Sequence, residues 1–289
     1  MALINRFIKG VFGASPEKAA EPHPTAPRTF EEQVYVAVVM ENDVCYDVGA
    51  NIGVVSLLLS RLVGRAGLVV AFEPVILLYT YLCTCVQAPV DPRATIITLQ
   101  IGLADTEMSA TVQVPTGLLQ MGSLAPSQVW SEILDGVDIR SYPCRFTTLD
   151  VFVQTSGIAR PDFIKIDVEG AELLVLRGAE TMFREGHRPL LLLELFGPWE
   201  QAFGYVPWDV LSLLMNHGYR FLFLCPQGLV EHVPTAEMPL PPEYEGSNNV
   251  LAYCAEVHAH RIEAAAGLRA GGATRRMPMN AEAPSLVSR

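Results

Sequence analysis

Three places in this sequence carry residue types and spacings that could do chemistry, and each lies where an apolar run ends. The first is Asp47-Val48-Gly49-Ala50-Asn51-Ile52-Gly53, where the run Val44–Val48 gives way to glycines at 49 and 53. Glycine adopts turns closed to other residues and lets a ligand approach the backbone. The second is Phe72-Glu73-Pro74, with Glu73 twenty-four residues after Gly49. At that spacing an acid on the next strand can accept hydrogen bonds from both hydroxyls of a ribose. The third is Asp162-Phe163-Ile164-Lys165-Ile166-Asp167-Val168-Glu169-Gly170-Ala171-Glu172, where Asp167 closes an apolar run and Glu169 opens the next helix. Such a pair can orient a hydroxyl, act as a general base or share a metal ion.

The glycine turn departs from the dinucleotide fingerprint GxGxxG, because Asn51 stands where the second glycine would let a pyrophosphate sit against the backbone. S-adenosylmethionine carries no phosphate, and its amino-acid end can use acceptors such as Asp47 and the backbone around Gly49. Two rivals share these features: an NAD-dependent oxidoreductase, and a non-catalytic module that only binds S-adenosylmethionine. Plainer explanations also exist for single residues. Glu73 precedes a proline-started helix, and Glu169 and Glu172 suit a first helical turn, where the helix dipole favours acids.

The elements that must position these groups follow from periodicity. Short apolar runs alternate with segments of helical period, the pattern of a mostly parallel sheet with helices on both faces. Strands are expected at Val44–Val48, Leu68–Phe72, Thr95–Gln100, Phe163–Ile166, Leu190–Leu195, Arg220–Leu224 and Val250–Cys254, and helices at Val54–Leu62, Ile76–Val86, Ala171–Arg184 and Trp208–His217. The stretch Thr111–Tyr142 reads as a hairpin and loops over the sheet. Residues 1–29 read as a segment and solvated linker, 30–257 as the folded domain, and 258–289, poor in large apolar groups, as a disordered tail.

Composition limits the partners. A chain of 289 residues, half of them apolar, can bury the core of one α/β domain. A net charge of -11 argues against nucleic acid, which calls for a basic face. The six cysteines form no CxxC pair, which suits buried reduced thiols and a cytoplasmic location, and no apolar stretch is long enough for a transmembrane segment. Nothing in the sequence limits assembly into a homo-oligomer.

Five segments taken in order make the reading specific: Val44 to Gly53, Ala71-Phe72-Glu73-Pro74, Thr147-Thr148-Leu149-Asp150, Ile164 to Glu172, and Leu176-Arg177-Gly178-Ala179. Together they resemble the FkbM family of S-adenosylmethionine-dependent methyltransferases across roughly residues 44–252. The resemblance implies an α/β, Rossmann-like class I methyltransferase fold, with a seven-stranded sheet whose last strand is antiparallel. It implies O-methylation of a hydroxyl on a small-molecule or glycan acceptor, a sugar or natural product. Carried over by position, Asp47, Gly49, Asn51 and Gly53 would line the methionine part of the cofactor and Glu73 would hold its ribose. Asp167 and Glu169 would lie near the sulfonium and the acceptor. The segment Leu99 to Asp105 resembles the part near adenine, with Gln100 and Gly102 departing from the family pattern and Asp105 as the expected contact. No metal-ligand set is assigned, although a divalent ion held by Asp167, Glu169 or Glu194 is an alternative route to an activated hydroxyl.

Overall fold

The fold is taken from a computed structural model that describes residues 29–87, 93–116, 122–124, 138–244, 248–266 and 268. The expected linker up to residue 28 and the tail beyond residue 268 lie outside the described residues. The apolar runs become β1 (Val44–Val48), β2 (Leu68–Phe72), β3 (Thr95–Leu99), β7 (Phe163–Ile166), β8 (Leu190–Glu194), β9 (Arg220–Cys225), β10 (Gly228–Glu231) and β11 (Asn249–Tyr253). They form one sheet in the order β10-β9-β11-β8-β7-β1-β2-β3. The pairs β1·β2, β2·β3, β1·β7 and β7·β8 are parallel, and β11 runs antiparallel to both β8 and β9. All four residues of β7 are buried, which is why that strand reads as a continuous run and not as an alternation.

The sheet has eight strands where seven were expected. The added strand, β10, pairs antiparallel with β9 through a turn at Pro226 and Gln227, with Cys225 opposite Gly228. Between β3 and β7 a second sheet forms from β4 (Gly102–Leu103), β5 (Met108–Pro115) and β6 (Ile139–Thr147), in the order β4-β6-β5. Its β5–β6 hairpin is the one expected over the sheet.

Helices cover both faces. On one side α1 (Phe30–Val38), α2 (Val54–Leu62) and α9 (Ala255–Ala266) pack Val34, Leu59 and Ile262 against Cys45, Phe163 and Leu192. On the other, α4 (Leu149–Thr155), α5 (Glu172–Arg177), α6 (Glu180–Arg184) and α8 (Pro207–Asn216) enclose Tyr46, Phe72, Ile164 and Phe223. Helix α3 (Ile76–Val86) leans Leu82 on Ala50 and Ala71, and α7 (Gly197–Ala202) follows β8. Among the described residues, no helix is long and apolar enough to cross a membrane.

Two of the family segments turn out to be architectural and to meet each other. The single helix expected over Ala171–Arg184 is broken into α5 and α6 around Gly178, where a Cβ would lie 2.1 Å from the Ala104 carbonyl oxygen. The break leaves the first N–H groups of α6 without helical partners, and Asp150 accepts those of Thr181 and Met182, each at 2.8 Å. Asp150 is thus a capping acid brought in from another helix.

The folded chain also continues past residue 257. Helix α9 buries His258, Ile262 and Ala265, and it is fixed to the start of β1 by Arg261. That guanidinium grips Asp43 with two bonds of 2.5 and 2.8 Å and donates to the Val38 carbonyl at 3.2 Å. The sparse apolar content that suggested a tail is enough for one helix because the ion pair, with both side chains largely out of solvent, supplies the docking. Removing one member of such a pair leaves a charge uncompensated. Arg261→Ala is therefore expected to cost about 3 kcal/mol of stability, read from urea denaturation. An unchanged midpoint would remove the pair from the account.

Candidate active site

The sheet order reverses at β1, since β2 and β3 extend to one side and β7 and β8 to the other. Crevices outside the carboxyl ends of strands at such a point are where open α/β sheets bind ligands. The glycine turn sits there because the Gly49 and Ala50 N–H groups donate to the Phe72 carbonyl at 3.1 and 2.9 Å, folding the turn over the end of β2. Gly49, at φ +80°, passes so close to β7 that a Cβ would fall 1.9 Å from the Asp167 carbonyl oxygen. Asn51 adopts φ 52°, the left-handed region that Asn tolerates better than most residues.

Glu73 is buried and accepts from the N–H groups of Asn51 at 2.9 Å and Val75 at 2.8 Å, one on each carboxylate oxygen. Each oxygen keeps a second lone-pair site for a ligand hydroxyl. Burial pushes this carboxyl up to about 7, partly opposed by those two bonds.

At the end of β7 the chain turns sharply. Glu169 lies in that turn with φ 53°, followed by Gly170 at φ 98°, and α5 begins only at Glu172. The expectation that Glu169 opens the helix is therefore corrected: Glu172 is the first-turn acid. It is buried and accepts from the Val168 and Gly170 N–H groups at 3.1 and 3.3 Å, so it shapes the turn that presents Glu169. The Ser123 hydroxyl closes the turn from above, donating to the Glu169 carbonyl at 2.6 Å.

Lys165 lies beneath these acids and the sequence reading gave it no role. Its ammonium is 3.1 Å from the Asp167 carboxylate and 3.5 Å from that of Asp47, and it donates to the Gly49 carbonyl at 3.1 Å. Burial alone would lower its pKa, but the charges of Asp167 and Asp47 outweigh this and hold it above the ordinary lysine value.

A cleft of about 410 Å³ opens over this arrangement. Gly49, Asn51, Glu73, Asp167 and Glu169 all line it. Asp47 does not: it is fully buried below the turn, accepting from Ser56 Oγ at 2.5 Å and facing Lys165. Gly53 also lies outside the lining, at the start of α2, where a Cβ would meet Leu82 at 2.7 Å. Asp105 lies in the turn between β4 and β5, outside the lining, while Gly102, Val112 and Phe146 supply an apolar wall instead. Glu31 from α1, Glu194 from β8 and Asn248 also line it.

The cleft is strongly acidic. Burial, with Asp167 and Glu172 nearby, raises the Glu169 carboxyl well above the usual carboxylate range, and burial, with Asp167 and Glu169, does the same to Glu194. Glu194 Oε1 accepts from the Asn248 amide at 3.4 Å, and its Oε2 is enclosed with no hydrogen-bond partner among the described residues. One oxygen from each of Asp167, Glu169 and Glu194 falls within 4.8 Å of the others. Lys165 is the only basic side chain lining the cleft among the described residues.

The sheet order, the glycine turn and the crevice at the switch point define a Rossmann-like α/β domain. The sequence model of the methyltransferase FkbM domain matches residues 47–221, more than half of the chain, and the chain belongs to that family. No curated protein matches it. Among solved structures, methyltransferase FkbM from Methylobacillus flagellatus KT is 16% identical with a TM-score of 0.42, over 73% of this chain and 44% of that one. This chain thus spans less than half the length of that protein. Precorrin-6y C5,15-methyltransferase from Geobacter metallireducens GS-15 is 13% identical with a TM-score of 0.43, over 84% of this chain and 98% of that one. Fibrillarin from Aeropyrum pernix, solved with natively bound S-adenosyl-L-methionine, is 13% identical with a TM-score of 0.37, over 74% and 67%.

Buried acids with raised pKa values tie stability to pH. Burial pushes Glu73 and Glu200 up to about 7 and Glu172 up to about 8, against a usual 4.5. Between those limits the folded protein holds protons that the unfolded chain has released. The stability they contribute is present at low pH and lost as pH rises through 7 to 8. The protein is expected to resist urea better at pH 6.5 than at pH 8.5. Glu200→Gln, which keeps the acceptor for the Phe196 N–H at 3.0 Å, is expected to flatten that slope. A stability that climbs over the same interval contradicts the assignment.

Proposed function

We propose that this chain binds S-adenosylmethionine in the cleft and methylates a hydroxyl of a sugar or natural-product acceptor. The observation that carries the reading is the acidity of the lining: the carboxyls of Glu31, Glu73, Asp167, Glu169 and Glu194, whose ionised forms a bound cation would favour, against Lys165. A sulfonium with an α-ammonium suits such a field, whereas the two negative charges of a dinucleotide pyrophosphate oppose it. The close pass of Gly49 and the unsatisfied Glu194 oxygen fit a ligand that comes down onto the backbone and brings positive charge. Membership of the FkbM family supports the same reading. The six free thiols favour a cytoplasmic location.

The backbone around Gly49 and Asn51 would hold the methionine part and Glu73 the ribose. Asp47 would act at one remove by fixing Lys165. When bound, S-adenosylmethionine supplies an activated methyl group, whose bond to sulfur breaks with the pair going to sulfur as the acceptor oxygen takes the carbon. The residues must align the hydroxyl and accept its proton, and alignment carries most of the rate. Glu169 is the better base of the two acids, because burial and its acidic neighbours raise its proton affinity while Asp167 is engaged by Lys165. Calorimetry with S-adenosylmethionine and with NAD tests the reading directly. Heat is expected with the first, and heat only with NAD would end the proposal.

A second reading of the same acids rests on the clustering of Asp167, Glu169 and Glu194. Oxygens on opposite sides of a divalent ion bonded at 2.1–2.4 Å lie roughly 4–5 Å apart, so the three could share one. For the base reading, Glu169→Gln lowers kcat by roughly 10²–10⁴-fold with little change in S-adenosylmethionine affinity, and the wild type keeps its activity in EDTA. Activity lost to EDTA and restored by Mg²⁺ or Mn²⁺ would replace the base with the ion.

A further inference from the structure

Helix α1 carries one acid into the cleft, and neither the glycine turn nor the strand ends account for it. We infer that Glu31 is the anionic contact for the α-ammonium of the cofactor's methionine end, an inference that rests on S-adenosylmethionine being the ligand.

Glu31 lines the same cleft as Gly49, Lys165 and Asp167, the wall at which the proposed methionine part would lie. That end of the ligand is a zwitterion, so it needs an acceptor for its ammonium as well as donors for its carboxylate. Lys165 supplies the positive charge that the carboxylate can face. Asp167 is an acid, but its carboxylate is already engaged by Lys165 at 3.1 Å. Among the described residues Glu31 is committed only to Tyr35, whose hydroxyl donates to Oε1 at 2.7 Å, and a carboxylate has further lone-pair sites.

The position is built. Tyr35 is buried and set edge-on to Phe163 at 5.9 Å, so its hydroxyl fixes the Glu31 carboxylate from below. The first turn of α1 is closed by a capping box, Thr29 Oγ1 accepting from the Glu32 N–H at 3.0 Å and Glu32 accepting from the Thr29 N–H at 3.3 Å. Its far end is held through Val38 by Arg261. Burial raises the Glu31 carboxyl and the charge of Asp167 adds to this, while Tyr35 and Lys165 oppose it, so a ligand cation would restore its charge.

A purely structural Glu31 would only satisfy Tyr35. Glu31→Gln separates the roles, because the amide oxygen still accepts from Tyr35 while the negative charge is gone. The ligands are S-adenosylhomocysteine and its deaminated analogue, which carries hydrogen in place of the ammonium, and binding is read by calorimetry. Wild type is expected to prefer the ammonium-bearing ligand by roughly tenfold or more, as for a charge-assisted hydrogen bond, and Glu31→Gln to lose most of that preference. Glu31→Asp, which keeps the charge, is expected to retain part of it and serves if the glutamine variant fails to fold. The same preference in wild type and Glu31→Gln overturns the role of Glu31 while leaving the cofactor reading intact. A wild type that binds neither ligand overturns both.

Discussion

The buried ammonium of Lys165 holds the two halves of the crevice together. It lies at a place where three negative dipoles or charges converge: the Asp47 carboxylate from β1, the Asp167 carboxylate from the end of β7, and the carbonyl of Gly49. Taking these charges out of water is costly, and the arrangement is tolerable only because each has a partner at close range. The glycine turn and the end of β7 are therefore tied by one cation as well as by the strand pairing of β1 and β7. Gly49 completes the constraint from the other side, since any Cβ there would strike the Asp167 carbonyl.

From that tie the rest of the site follows in layers. Asp167 is aimed by Lys165, the turn after it is shaped by Glu172, and Glu172 is in contact with Tyr205, whose hydroxyl donates to the Gly170 carbonyl at 2.5 Å. Gly170 in turn leaves no room for a side chain, because a Cβ would lie 2.8 Å from the Phe203 ring and 2.9 Å from the Trp199 carbonyl. The segment after β8 thus sets the shape of the turn that carries Glu169. Acids that a sequence presents as one cluster divide into those that face the ligand and those that hold the backbone under them.

The centre of the sheet was legible because β1, β2 and β7 are buried along nearly their whole length and bounded by glycine or acids. Of the expected runs, those at Val44–Val48, Leu68–Phe72 and Phe163–Ile166 match the observed strands to the residue. What escaped depended on tertiary partners. The break at Gly178 answers the approach of Ala104, and α9 is held by Arg261 reaching Asp43, 218 positions earlier in the chain. Lys165 had a readable signal, since it lies two residues before Asp167, on the strand face that both share by the period of two. Glu31 had only the capping box of Thr29 and Glu32 beside it, which announces a helix and says nothing of where its second residue points. Asp105 was placed by analogy alone, and the wall beside it is made by the β5–β6 hairpin.

An acidic cleft with a single lining lysine works against the stability of the empty fold. Glu169, Glu172 and Glu194 all feel the charge of Asp167, and each is pushed toward its neutral form. That repulsion is tolerable if the crevice is arranged for a cation, because binding then removes a penalty the empty protein carries. The same arrangement suits transfer of a group from a positively charged donor: one side of the reaction begins cationic and ends neutral, while the proton released by the acceptor needs a carboxylate with raised affinity for it. A cleft whose acids are pushed toward their neutral forms by burial and by one another meets both requirements with the same side chains. Well-paired acids would answer the first and fail the second, so under the proposed reaction the unpaired Glu194 oxygen would serve the chemistry.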